Sequence, residues 1–172
     1  MFLPIGDTPN PKGTPWVNYA LMLANMLVFG LYTLPLMGMA ADPTDPALNL
    51  LLEELFASHP EYTQDELILI ALQEMKISAY DTFLIRWGYR SGEPSLVTLF
   101  SSMFLHGGWM HLLGNMLFLW IYGDNVEHRL GRVGYLIGYL LSGAMAALLY
   151  GLFAPEGAGN TPMVGASGAI SG

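Results

Sequence analysis

Cysteine is absent from all 172 residues, which excludes disulfides, thiolate metal sites and cysteine nucleophiles and leaves the compartment open. Basic side chains are scarce, six Lys and Arg against fourteen Asp and Glu, and no basic tract exists, so nucleic acid is not an expected partner. Charge of either sign makes up only 12% of the chain, while 53% is hydrophobic and the mean hydropathy is +0.42; that balance belongs to a membrane protein rather than a soluble globule. The net charge of −8 is unevenly spread, because ten of the fourteen acids fall between Asp42 and Glu93. The remainder is close to neutral.

What is present is a set of long apolar runs. Met1 to Pro15 lacks the basic start of a signal peptide and carries Pro4, Pro9, Pro11 and Pro15, so it reads as an extended N-terminal arm. Trp16 to Met39 has no charge and is long enough, at 1.5 Å per residue, to cross a hydrocarbon core of about 30 Å as a first span. Trp16 and Tyr19 suit an interfacial belt there. Residues 40–108 form a long first loop with two expected amphipathic helices, Ala47 to Ala57 and Gln64 to Tyr80. Arg86, Trp87 and Tyr89 suit an interfacial anchor.

After Pro94 the chain turns apolar again. A half-buried or re-entrant segment is expected before Gly107-Gly108, a second span over 109–125, a tight turn at Gly131 and a third span over 133–153. In the third, Gly134, Gly138, Ser142 and Ala146 recur every fourth residue, a stripe that lets a neighbouring backbone approach. Residues 154–164 read as a loop, and 165–172 as the start of a fourth span. The fold class expected is all-α: a polytopic transmembrane helix bundle. Lys12, Arg129 and Arg132 sit in short segments on one side, which favours an N-terminus inside.

Chemistry is expected where polar groups enter the membrane. His111 and Asn115, four residues apart, share one helix face and can donate hydrogen bonds to a developing oxyanion. Ser167, flanked by Gly165 and Gly168, suits a nucleophile at a helix start; it equally suits a helix cap or a close packing contact. Zinc is disfavoured, because His106 and His111 are five residues apart, off a shared face, and no Glu or third ligand accompanies them. Nothing in the sequence calls for a cofactor.

The run from His106-Gly107-Gly108 through His111 and Asn115, Glu127-x-Arg129, and Gly165-Ala166-Ser167-Gly168 together resemble the rhomboid intramembrane serine proteases. Three motifs occur in that family's order over roughly Pro94 to Gly172; the first 93 residues match only in outline. The resemblance implies a bundle of six or seven helices in which Ser167 attacks a peptide bond in a substrate's transmembrane segment. His111, Asn115 and the Ser167 amide would hold the oxyanion, His106 would order the first loop against the second helix, and Glu127 and Arg129 would pack. The loop near Met163 would lie beside the scissile strand. The implied location is a bacterial cytoplasmic membrane, and the implied partners are the lipid bilayer and transmembrane protein substrates.

The resemblance also exposes a gap. Serine needs a base, in this family a histidine on the sixth helix, and His59, His106, His111 and His128 are poor substitutes. The 172 residues are therefore expected to be the N-terminal portion of such a protein, inactive alone. Ser171 stands where some relatives carry an aromatic. Two other classes are compatible: a non-proteolytic rhomboid-like protein that binds transmembrane clients, and a channel or transporter.

Overall fold

The computed structural model describes residues 13–58, 61–73, 75–153 and 158–171. Most of the N-terminal arm with Lys12, His59, Glu74, part of the 154–164 loop and Gly172 lie outside these. The described residues are helical, without strands beyond two isolated bridges, as expected for the all-α class.

Helix α1 runs from Trp16 to Met37 and is apolar enough to cross a membrane. Its ladder widens into a π-turn over Phe29–Thr33, just before Pro35, whose ring would otherwise clash with the carbonyl four residues earlier. The second apolar stretch, Trp109–Phe153, comprises α6 (Trp109–Phe118), a π-turn over Leu119–Gly123 and α7 (Asp124–Phe153). A π-turn thus lies within the span expected over 109–125. The cause is Asn18, whose amide reaches in to donate to the Leu119 carbonyl at 2.9 Å while its side chain packs where any Cβ on Gly123 would stand. A side chain inserted into a helix ladder produces this kind of bulge. The turn expected at Gly131 is present: φ is 73° and ψ 164° inside α7, a conformation glycine adopts without strain.

Glu127 locks the helices together. Its buried carboxylate accepts from the amides of Val17 at 3.2 Å and Asn18 at 2.7 Å, the orphan donors at the start of α1. Tyr135 donates to Asn18 Oδ1 at 2.9 Å. One network therefore joins α1, the π-turn and both halves of α7, and the packing role expected of Glu127 holds. Arg129 is exposed. Leu21, Phe29, Leu112, Met116, Tyr139 and Ala147 fill the core beside this network, whereas Leu23, Leu31, Leu113, Leu141 and Leu152 point outward, each more than half exposed. Outward leucines on helices of this length form a lipid face.

The first loop folds into α2 (Pro46–Ser58), α3 (Gln64–Gln73) and α4 (Ala79–Trp87). Helices α2 and α3 share a small core of their own around Leu48, Leu52 and Ala71. The single helix expected from Gln64 to Tyr80 is corrected to two. Lys76 adopts a positive φ of 55°, and Ser78 and Asp81 form a reciprocal capping box, with Ser78 N donating to Asp81 at 2.8 Å, so the chain restarts a helix at Ala79. The excursion is closed at its base, where Ala41 N donates to Ile77 O at 3.1 Å and Ala79 N to Met39 O at 2.8 Å. Helix α5 (Leu96–Ser101) and a 3₁₀ turn, Ser102–Phe104, then bring the chain to His106.

The small-residue stripe is used only in part. Among the described residues, a Cβ on Gly134 or Gly138 would meet only Leu130 of the same helix, while a Cβ on Gly168 would stand 2.5 Å from that of Ala146. Gly143, outside the stripe, lies against Met103 and Ala169. Close packing between α7 and α8 (Ser167–Ser171) therefore runs along Gly143 and Ala146.

Candidate active site

Ser167 opens α8 and is exposed. The turn that delivers it is set two residues earlier: Gly165 has φ 114°, its amide donates to the Ser102 carbonyl at 2.8 Å, and it lies so close to His111 that a Cβ there would stand 2.5 Å from Cε1 and from Nε2. Only glycine fits both the dihedral and the contact. The sequence placed His111 and Ser167 on separate elements; the backbone at Gly165 joins their neighbourhoods.

Asn115 is buried on the same face of α6, one turn below His111. Its amide donates to the His111 carbonyl at 3.0 Å, which leaves the second N–H of that group. His106, which precedes α6, is not bound by helical spacing, and its ring meets that of His111 edge to face at 5.1 Å. The separation expected from their five-residue spacing is thereby corrected. His106 is fully buried, its two ring nitrogens have no hydrogen-bond partner among the described residues, and Tyr80 donates to its carbonyl at 2.9 Å. Burial, and then the adjacent His111 ring, push the His106 imidazole down to about 4, so it is neutral near pH 7. Among the described residues no group of three metal-ligating side chains exists.

The loop ahead of Ser167 is held by the first loop. Tyr89 and Met163 exchange backbone bonds, 3.1 Å and 2.8 Å long, and Gly92 N donates to Gly159 O at 2.9 Å. Gly88 makes room: a Cβ there would meet Pro162 at 2.7 Å. Tyr89, expected as an interfacial anchor, is instead only 4% exposed, because its backbone forms this bridge and its ring turns into the core. Trp87 remains half-exposed as expected.

Comparison with known proteins matches residues 93–172 to the Rhomboid domain family. This part of the chain is rhomboid-like. Of its Arabidopsis thaliana relatives, rhomboid-like protein 11, chloroplastic, is 38% identical over 79 residues, 46% of this chain and 27% of that protein. Rhomboid-like protein 2 is 42% identical over 74 residues, 43% of this chain and 22% of the relative. Rhomboid-like protein 1 is 30% identical over 159 residues, 92% of this chain and 38% of the relative, so the likeness extends into the first loop. No solved structure matches. The chain thus spans well under half the length of each of these relatives. The relatives are plant proteins, which contradicts the bacterial membrane expected from sequence; its membrane character rests on the rhomboid domain and the two apolar helical stretches.

Sequence reasoning passed over Asn18, Tyr80 and Ser102. Asn18 carried a signal, since Asn18 and Asn25 lie two turns apart on one face of an otherwise uncharged span. Ser102 acts through its backbone and carried none.

Proposed function

We propose that this chain is the serine-bearing part of an intramembrane serine endopeptidase that cuts transmembrane segments of membrane proteins. The observation that carries it is the seating of Gly165 on the His111 ring, which brings the segment holding Ser167 to the imidazole four residues from Asn115. In this reaction Ser167 Oγ attacks the scissile carbonyl carbon and its proton passes to a base. The oxyanion takes hydrogen bonds from His111, the free N–H of Asn115 and the Ser167 amide. Departure of the amine leaves an acyl-serine, which water then releases.

None of the described histidines is placed as that base. His128 lies near Gly13, where a Cβ would stand 2.9 Å from its Nε2, and His106 stacks on His111 rather than standing free; His59 lies outside the described residues. In the bilayer we assign three crossings, α1, α6 with the start of α7 up to Gly131, and α7 beyond it, with α8 opening a fourth. Arg129 and Arg132, exposed at the Gly131 turn, favour that end as the cytoplasmic one.

The test is fluorophosphonate labelling of the full-length protein in membranes. Labelling that disappears in Ser167→Ala supports the endopeptidase. An unlabelled protein that co-purifies with uncut transmembrane clients would favour a non-proteolytic client-binding role.

A further inference from the structure

Between the second half of α1 and the elements of the first loop lies a crevice of about 320 Å³. Val28, Tyr32, Phe83, Trp87, Phe104 and Leu105 form its walls, with Ser101 at its edge. The aromatic wall is ordered: Tyr32 stacks on Phe83 with ring centres 5.8 Å apart and planes 16° apart, and Phe83 meets Trp87 at 6.2 Å. The Ser101 hydroxyl is spent on the Trp87 carbonyl at 2.6 Å. What faces the space is carbon, so it offers water few partners.

We propose that this crevice holds one acyl chain of a membrane lipid. Its mouth is continuous with the lipid face of α1: Tyr32 lines it while remaining 51% exposed, and the adjacent Leu31 is 66% exposed. The crevice opens along that face, and a single unbranched hydrocarbon chain is slim enough to enter it from the bilayer. The bilayer supplies such chains at very high effective concentration, so even weak preference fills the site. Because lipid tails gain no hydrophobic energy by leaving other tails, retention comes from dispersion contact with the stacked rings. Of the back wall, Ser101 and Phe104 flank Ser102, whose carbonyl holds the Gly165 amide, so an occupying chain packs beside the support of the Ser167 turn. This inference requires membrane residence and is independent of catalysis.

The test uses the protein in phosphatidylcholine vesicles doped with a phospholipid carrying a diazirine near the end of one acyl chain. Adducts are mapped by mass spectrometry. Adducts are expected to concentrate on Trp87, Phe104 and Leu105 and to fall at least tenfold in Val28→Trp, which fills the crevice, but not in Leu23→Trp, on the open lipid face of the same helix. Ser101→Phe fills the space from the opposite wall and serves if Val28→Trp fails to fold. Adducts spread evenly over Leu23, Leu27 and Leu31 would overturn the proposal, as would unchanged adducts in both filled variants. So would a diazirine-bearing transmembrane peptide that labels the crevice in place of lipid.

Discussion

The Glu127 carboxylate and the Asn18 amide meet at 2.7 Å across 109 positions of sequence. A buried carboxylate at the positive end of a helix is favourable there, and it satisfies the amides of Val17 and Asn18, while those of Trp16 and Tyr19 donate to the Thr14 and Pro15 carbonyls. Removing it in Glu127→Ala strands two donors in a low-dielectric setting and is expected to cost about 1–3 kcal/mol. Glu127→Gln retains one acceptor and should cost less. Thermal unfolding in detergent checks the order; equal melting of all three proteins would refute the capping role.

Gly165→Ala joins a strained dihedral to a collision with the His111 ring. Backbone strain alone is worth about 1–3 kcal/mol. In the full-length protein fluorophosphonate labelling is expected to drop at least tenfold, by more than any fall in melting temperature explains. Retained labelling would show that the turn tolerates a side chain and that its closeness to His111 has no catalytic meaning.

Two glycines of the same interface should respond differently to alanine. At Gly168 the new methyl meets the Ala146 methyl at 2.5 Å, while at Gly143 the nearest atoms, at 2.6 Å, are the sulfur and terminal carbon of Met103. Methionine can swing away and a helix-borne methyl cannot. Gly168→Ala is therefore expected to destabilise by about 1–3 kcal/mol and Gly143→Ala by clearly less, as read by denaturation in mixed micelles.

Acid should loosen α2 before it loosens the spans. The Asp45 side chain is 15% exposed. Its burial raises the carboxyl pKa, but the Ala47 amide and Arg86 outweigh this and hold it below its ordinary 3.8. A carboxylate depressed on folding contributes stability that is fully present above the unfolded value and lost as pH falls through the folded one. Amide exchange at the start of α2 is expected to accelerate below about pH 4, and Asp45→Asn should show the faster rate already at pH 6.

The legible and illegible parts of this chain divide along physical lines. Uncharged runs announced the membrane helices, because length and the absence of charge are one-dimensional properties. His111, Asn115 and Ser167 stood out since polar groups in apolar surroundings are costly. Pairing across distance was not visible: nothing in a one-dimensional pattern says that Asn18 widens the turn at Leu119, or that Tyr89 bonds Met163. The stripe from Gly134 misled for the same reason, as spacing shows that a face is small without showing what lies against it. The break near Lys76 could have been read from Ser78 and Asp81, whose capping spacing competes with the apolar periodicity running through them.

The closed base of the α2–α3 hairpin, where Ala41 bonds Ile77 and Ala79 bonds Met39, bears on how the protein can change. Since the strand of chain departs and re-joins at one place, residues between them can be lengthened, shortened or exchanged for another ordered insert with only a small entropic difference in ring closure. The trunk keeps its registration throughout. Homologues are free to diversify this excursion, and a laboratory graft of a foreign helical pair between Ala41 and Ile77 is the simplest place to attach new recognition to the molecule.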